Sequence, residues 1–107
     1  MKIIEREELK TKLDRGDDFK LVMTLGELAF QAQHIPGSIN LSKMGDIESR
    51  LQKDDEIVVY CSDQACIACQ AAYIMMEKEG YTNVRRYAGG LSDWSSSRYE
   101  LEGFSID

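Results

Sequence analysis

Apolar residues recur along this chain with two different periods, and the places where the period changes predict its elements. From Glu5 to Arg15, Leu9 and Leu13 stand four apart among charged residues before Gly16, as in a short amphipathic helix with a glycine stop. FKLVMT at 19–24 follows as a strand. Residues 26–33 suit a short helix, and HIPGSINLS turns at Pro36-Gly37 before a brief extended piece over 38–41. Ser42 is placed to cap the next helix, where Met44, Ile47 and Leu51 share one buried face, and Lys53-Asp54-Asp55 then makes a polar turn.

EIVVY at 56–60 is the strongest strand signal, a short β-branched run suited to burial on both faces as in a parallel sheet. From Ile67 to Glu79 the pattern is helical, with Ile67, Ala71, Ile74 and Met75 on one stripe and Gly80 as the stop. NVRRY at 83–87 reads as another strand. Gly89-Gly90 breaks it, and LSDWSSS supplies a last short helix with Leu91 and Trp94 three apart. Strands alternating with helices predict an α/β domain around a mainly parallel sheet.

At 107 residues the chain fits one domain, 1–107, large enough to bury a core without disulfide staples. It has no repeat, low-complexity tract or linker-like stretch. The opening MKIIEREELK lacks the apolar run of a secretory signal, and no stretch approaches the roughly 20 apolar residues of a membrane span. A soluble cytoplasmic protein without a membrane partner is expected. Thirteen basic against nineteen acidic residues give a net charge of −6, which disfavours nucleic acid and anionic lipid. The three cysteines, Cys61, Cys66 and Cys69, crowd into nine positions, a poor framework for disulfides spanning a fold. They read as local chemistry or as small core residues.

Cys61 directly follows the predicted strand IVVY and precedes the helix that begins at Ile67. In open α/β sheets ligands bind at that kind of junction. Backbone N–H groups of a loop entering a helix N-terminus favour thiolate over thiol, which would make Cys61 nucleophilic. Position alone leaves open the other reading, an inert thiol buried at a strand end.

Three segments bear on that choice: HIPGSIN at 34–40, VVYC at 58–61 and YAGGLSDW at 87–94. In this order they resemble the rhodanese family, and together they span most of the chain. The resemblance implies the rhodanese-like fold, a mainly parallel central sheet of about five strands flanked by helices. It also implies that Cys61 accepts a sulfane sulfur as a persulfide, from a donor such as thiosulfate, and passes it to a thiol or other nucleophile. The loop of Ser62, Asp63, Gln64, Ala65 and Cys66 would cradle the persulfide with backbone N–H groups, which hold negative charge without a charged side chain.

The chain departs from the family in two places. Active rhodaneses often carry glycine three positions, and arginine or a small polar residue five positions, after the cysteine, where this chain has Gln64 and Cys66. Asp63 adds a carboxylate that would raise the Cys61 thiol pKa and repel an anionic donor. Upstream, the family's Asp-Val-Arg eleven residues before the histidine is replaced by Met23-Thr24-Leu25. The extra thiols Cys66 and Cys69 are three apart at the start of the helix. Cys69 reads as packing, whereas Cys66, at the far end of the loop, is a candidate resolving thiol that could close a disulfide with Cys61.

Other readings weigh less. Cys61-x4-Cys66-x2-Cys69 matches the first three ligands of a plant-type iron–sulfur protein, but the fourth cysteine is missing. Zinc with His34 as fourth ligand has only ligand counting behind it. A phosphatase of the Cys-x5-Arg type would need its cation at Ile67. His34 belongs to a turn that the family uses structurally, and Trp94 reads as a core aromatic. Arg85 and Arg86 alternate along a strand, so at most one could look toward the site, with solvation or an ion pair as the default for both. The sequence therefore predicts a monomeric rhodanese-type sulfurtransferase with no metal or organic cofactor, acting on a small sulfur donor and a small or protein thiol. The alternatives are a rhodanese-like binding or regulatory module, and a dithiol redox protein using Cys61 and Cys66.

Overall fold

A computed structural model describes residues 2–41, 44–63 and 67–104, with Met44 described for its backbone alone. Helix α1 spans Arg6–Arg15, strand β1 Lys20–Met23, α2 Glu27–Ala32, β2 Ile39–Asn40 and α3 Met44–Arg50. Strand β3 follows at Ile57–Tyr60, then α4 Ile67–Lys78, β4 Val84–Arg86 and α5 Gly90–Ser96. Gly16 ends α1 in the left-handed conformation, φ 71°, and its N–H donates to the Leu13 carbonyl. The expected cap of α3 by Ser42 lies outside the described residues.

The strands lie side by side in the order β2-β1-β3-β4, every pair parallel. β3 is central, and Ile57, Val58, Val59 and Tyr60 are each fully buried, as the β-branched run predicts. Among the described residues the sheet has four strands, where the resemblance implied about five. The nearest thing to a fifth is Ile3, which makes one isolated parallel bridge to Arg86. The Ile4 N–H donates to the Arg86 carbonyl at 3.0 Å, and the chain then turns into α1 at Arg6, too soon for a ladder to form.

Because successive strand residues point to opposite faces, the sheet carries two cores. On one face Leu21, Met23, Val58 and Tyr60 meet Leu9 of α1 and Leu91 and Trp94 of α5. On the other Val22, Ile57, Val59 and Val84 meet Ile47 and Leu51 at α3, and Cys69, Tyr73 and Met76 of α4. Helix α4 is therefore turned differently from the predicted stripe. Ile67 is 77% exposed, Ile74 and Met75 are nearly half exposed, and the core side is Cys69, Tyr73 and Met76. With uncharged side chains on most of its circumference, the helix has little preferred phase of its own, and packing on the sheet selects the face.

Among the described residues, no helix is long and apolar enough to cross a membrane.

Candidate functional site

Cys61 stands immediately beyond the C-terminal end of β3, in the hydrophobic cluster beneath α3 and α4, and is 1% exposed. Its backbone is held from the far side of the sheet's end. The Leu91 N–H donates to the Cys61 carbonyl at 2.9 Å, and the Ser92 N–H donates to the Ser62 carbonyl at 2.8 Å. These are first-turn amides of α5, which in a helix lack internal acceptors, so the loop start satisfies them. The approach depends on Gly90: its φ is +61°, and a Cβ there would lie 2.5 Å from the Cys61 carbonyl oxygen. The Gly89-Gly90 pair thus serves both as a strand breaker and as the close contact that fixes the cysteine.

On the other flank, Thr24 follows β1 and donates its N–H to the Tyr60 carbonyl at 3.1 Å, its Oγ1 reaching the same oxygen at 3.4 Å. A groove of about 240 Å³ opens beside it, lined by Thr24, Leu41, Ile47, Ala68, Ala72 and Met75 among others. A larger cavity of about 770 Å³ lies between α2 and α3, and Cys61, Ser62 and Asp63 take no part in its lining.

The residues that sequence reasoning assembled are placed as follows. Cys61 is buried, and its sulfur is in a disulfide, while Cys69 stands outside any disulfide. Ser62 and Asp63, the first two residues of the loop, are both exposed. Gln64, Ala65 and Cys66 lie outside the described residues, and with them the remainder of the expected cradle. Cys69 is fully buried on the sheet side of α4, in keeping with a small core residue.

His34 is tied into the scaffold. Its ring stacks on Phe30 with centroids 4.0 Å apart, Nδ1 lies 2.7 Å from the Phe30 carbonyl, and its backbone pairs with Glu102. The HIPGS turn itself is pinned by Tyr60, the residue before Cys61. The Ile35 N–H donates to the Tyr60 hydroxyl at 3.0 Å, and Ser38 Oγ lies 2.8 Å from it. Burial pushes the Tyr60 hydroxyl up to about 12, the hydrogen bonds from Ser38 and Ile35 pulling the other way. Tyr60 is therefore neutral at physiological pH and serves as an anchor.

Arg85 and Arg86 do face opposite ways. Arg85 makes a two-pronged pair with Glu8 of α1, Nη1 to Oε2 at 2.6 Å and Nη2 to Oε1 at 2.8 Å. Arg86 overturns the expectation of a solvated or surface-paired residue: it is only 7% exposed, and its Nε donates to Cys69 Sγ at 3.1 Å. Alternation in NVRRY put the two on opposite faces, so that at most one could look toward the site. Which one is decided by strand register, because Arg86 shares the α4 face with Val84, two residues before it.

Comparison with known proteins adds a family and a fold. The family model described as "Rhodanese-like domain" matches residues 5–97. An HTH-type transcriptional regulator of Mycobacterium tuberculosis is 29% identical over 106 residues, covering 97% of this chain and 44% of the regulator. The chain thus spans less than half the length of that curated relative. Among solved structures, a Bacillus halodurans protein superposes with a TM-score of 0.89 at 24% identity, covering 99% of this chain and 82% of its own. A human single-domain sulfurtransferase gives a TM-score of 0.76 at 22% identity over 90% of this chain and 96% of its own. At such identities the likeness speaks for the fold alone.

Proposed function

The chain belongs to the rhodanese-like domain family, and on that footing we propose that it is a sulfurtransferase in which Cys61 carries the sulfur. The observation that supports this best is the seat of Cys61 at the C-terminal end of the central strand, its carbonyl bound by the first turn of α5. Once reduced, the Cys61 thiolate attacks the outer sulfur of a donor such as thiosulfate. The donor's S–S bond breaks, sulfite leaves with the electron pair, and Cys61 holds a persulfide. An acceptor thiolate then attacks the terminal sulfur, takes it as its own persulfide, and returns Cys61 as thiolate. Backbone N–H groups of the 62–66 loop are the proposed stabilisers of the negative charge. The acceptor is a small thiol or a protein thiol, and the setting is the cytoplasm.

The test is intact mass after reduction, removal of the reductant and exposure to thiosulfate. A gain of about 32 Da, one sulfur atom transferred by thiolate attack, is expected in the wild type and in Cys66→Ser, and not in Cys61→Ser. No gain with thiosulfate or any other sulfane donor would sink the enzymatic reading. A rhodanese-like binding or regulatory module would then stand, the kind of role that the name of the Mycobacterium tuberculosis regulator suggests.

The disulfide at Cys61 favours a second reading, a dithiol redox protein. Of the three cysteines Cys69 is outside any disulfide, which leaves Cys66 as the proposed resolving thiol. Reversible loss of about two hydrogens on oxidation, abolished by Cys66→Ser, is its signature.

A further inference from the structure

Among the described residues, Arg86 is the one charged side chain that folding buries. Taking a guanidinium out of water is costly unless the surroundings use its charge, so its location carries information. Arg86 pairs in register with Val59 on β3, and Cys61 lies two residues beyond Val59. Two residues along a strand and one strand across separate Cα atoms by roughly 8 Å, within the reach of an arginine side chain. Parity puts Val59, Cys61, Val84 and Arg86 on the same face of the sheet, and Val59, Cys61 and Val84 share the core cluster with Cys69. The bond from Arg86 Nε to Cys69 Sγ, at 3.1 Å, then holds the guanidinium against the first turn of α4.

We propose that Arg86 is a positioning residue that supplies, from β4, the positive charge that the loop sequence lacks, drawing anions to Cys61 and favouring its thiolate. The proposal deepens the sulfurtransferase reading and rests on Cys61 as the reactive cysteine. It reconciles a loop without arginine with chemistry in which donor, thiolate and persulfide are all negative. The groups that face Cys61 divide accordingly. Asp63 on the loop opposes the effect from an exposed position. Cys69 and Tyr73 of α4 share the core cluster with Cys61, and the Tyr73 hydroxyl accepts the Lys2 N–H at 2.8 Å. On α5, Asp93 is turned to Arg6 and Tyr87, at 2.7 and 2.6 Å. Arg86 is left as the cation of this face that lies closest in register to Cys61.

Alkylation of Cys61 in the reduced protein, read by peptide mass so that Cys66 and Cys69 are scored separately, tests this without any sulfur transfer. The readout is the rate with anionic iodoacetate divided by the rate with neutral iodoacetamide, together with the pH midpoint of the iodoacetamide rate. Arg86→Met, which keeps the length of the side chain and drops the charge, is expected to lower the ratio several-fold and raise the midpoint by about one pH unit. Arg86→Lys is expected to stay near the wild type. An unchanged ratio and midpoint in a folded Arg86→Met overturns the proposal, as does a folded Arg86→Lys that falls as far as the Met variant. If the Met variant does not fold, the wild type decides: its ratio is expected to fall as salt is raised, and a salt-independent ratio overturns the proposal. Loss of the persulfide adduct alone sinks the sulfurtransferase reading and leaves this measurement intact.

Discussion

On the α1 and α5 side of the sheet, buried polar groups meet one another at good distances and hold the frame. The Tyr60 hydroxyl joins Ile35 and Ser38, the Tyr87 hydroxyl donates to Asp93 at 2.6 Å, and the Trp94 indole donates to the Glu100 carbonyl at 2.9 Å. On the α3 and α4 side the buried groups include a disulfide-bonded Cys61, the Arg86 and Cys69 pair, and a Tyr81 hydroxyl that has no hydrogen-bond partner among the described residues. One face joins its polar side chains to one another and to backbone, and the other buries a guanidinium, two cysteines and the Tyr81 hydroxyl close together. The difference teaches where to look for function in a small α/β domain, since a fully satisfied network rigidifies and a partly satisfied one is retained at a cost.

The strongest way to break this division is at the point where the faces are joined. Gly90→Ala puts a Cβ 2.5 Å from the Cys61 carbonyl oxygen at a left-handed φ, and a loss of about 3 kcal/mol in chemical denaturation is expected, with altered Cys61 reactivity. On the fastened face, Tyr60→Phe leaves the buried Ile35 N–H without its acceptor and is expected to cost about 2 kcal/mol. The same variant carries a pH signature. The folded pKa of Tyr60, about 12, lies above the ordinary tyrosine value near 10. The stability tied to its neutral hydroxyl is therefore whole below about pH 10 and is lost as pH rises toward 12. Denaturation midpoints followed through that window should fall more steeply in the wild type than in Tyr60→Phe.

The smallest effect sharpens the comparison from the other side. Tyr81 is buried, its hydroxyl is unmatched, and Lys53 Nζ sits 4.4 Å from its ring centroid. Burial, with Glu48 and Glu79 nearby, raises its pKa. Tyr81→Phe keeps the ring contact and removes the orphan oxygen, so stability is expected to stay level or rise by up to about 1 kcal/mol in thermal unfolding. A loss comparable to that of Tyr60→Phe would erase the contrast between the two faces.

Much of this architecture is legible in the chain. The β-branched run 57–60 has one reading, a strand buried on both faces, because hydrophobicity without alternation suits the middle of a parallel sheet. Helix α1, with two leucines among charges and a terminal glycine, is equally determinate in type, face and end. The motifs at 34–40, 58–61 and 87–94 are enough to locate the family.

What the chain by itself left open was settled by contacts that no local pattern encodes. Helix α4 offers Ile67, Ala71, Ile74 and Met75 on one side and Cys69, Tyr73 and Met76 on another, and only docking against β3 and β4 turns the second inward. Alternation separates Arg85 from Arg86 but assigns no face, since either arginine tolerates solvent. Glu8, 77 residues away in sequence, holds Arg85 outside, and the parallel register of β4 on β3 carries Arg86 onto the α4 face beside Cys69. Sequence periodicity fixes which residues share a face. Long-range packing chooses the face that is buried, because the gain in burial depends on what lies opposite.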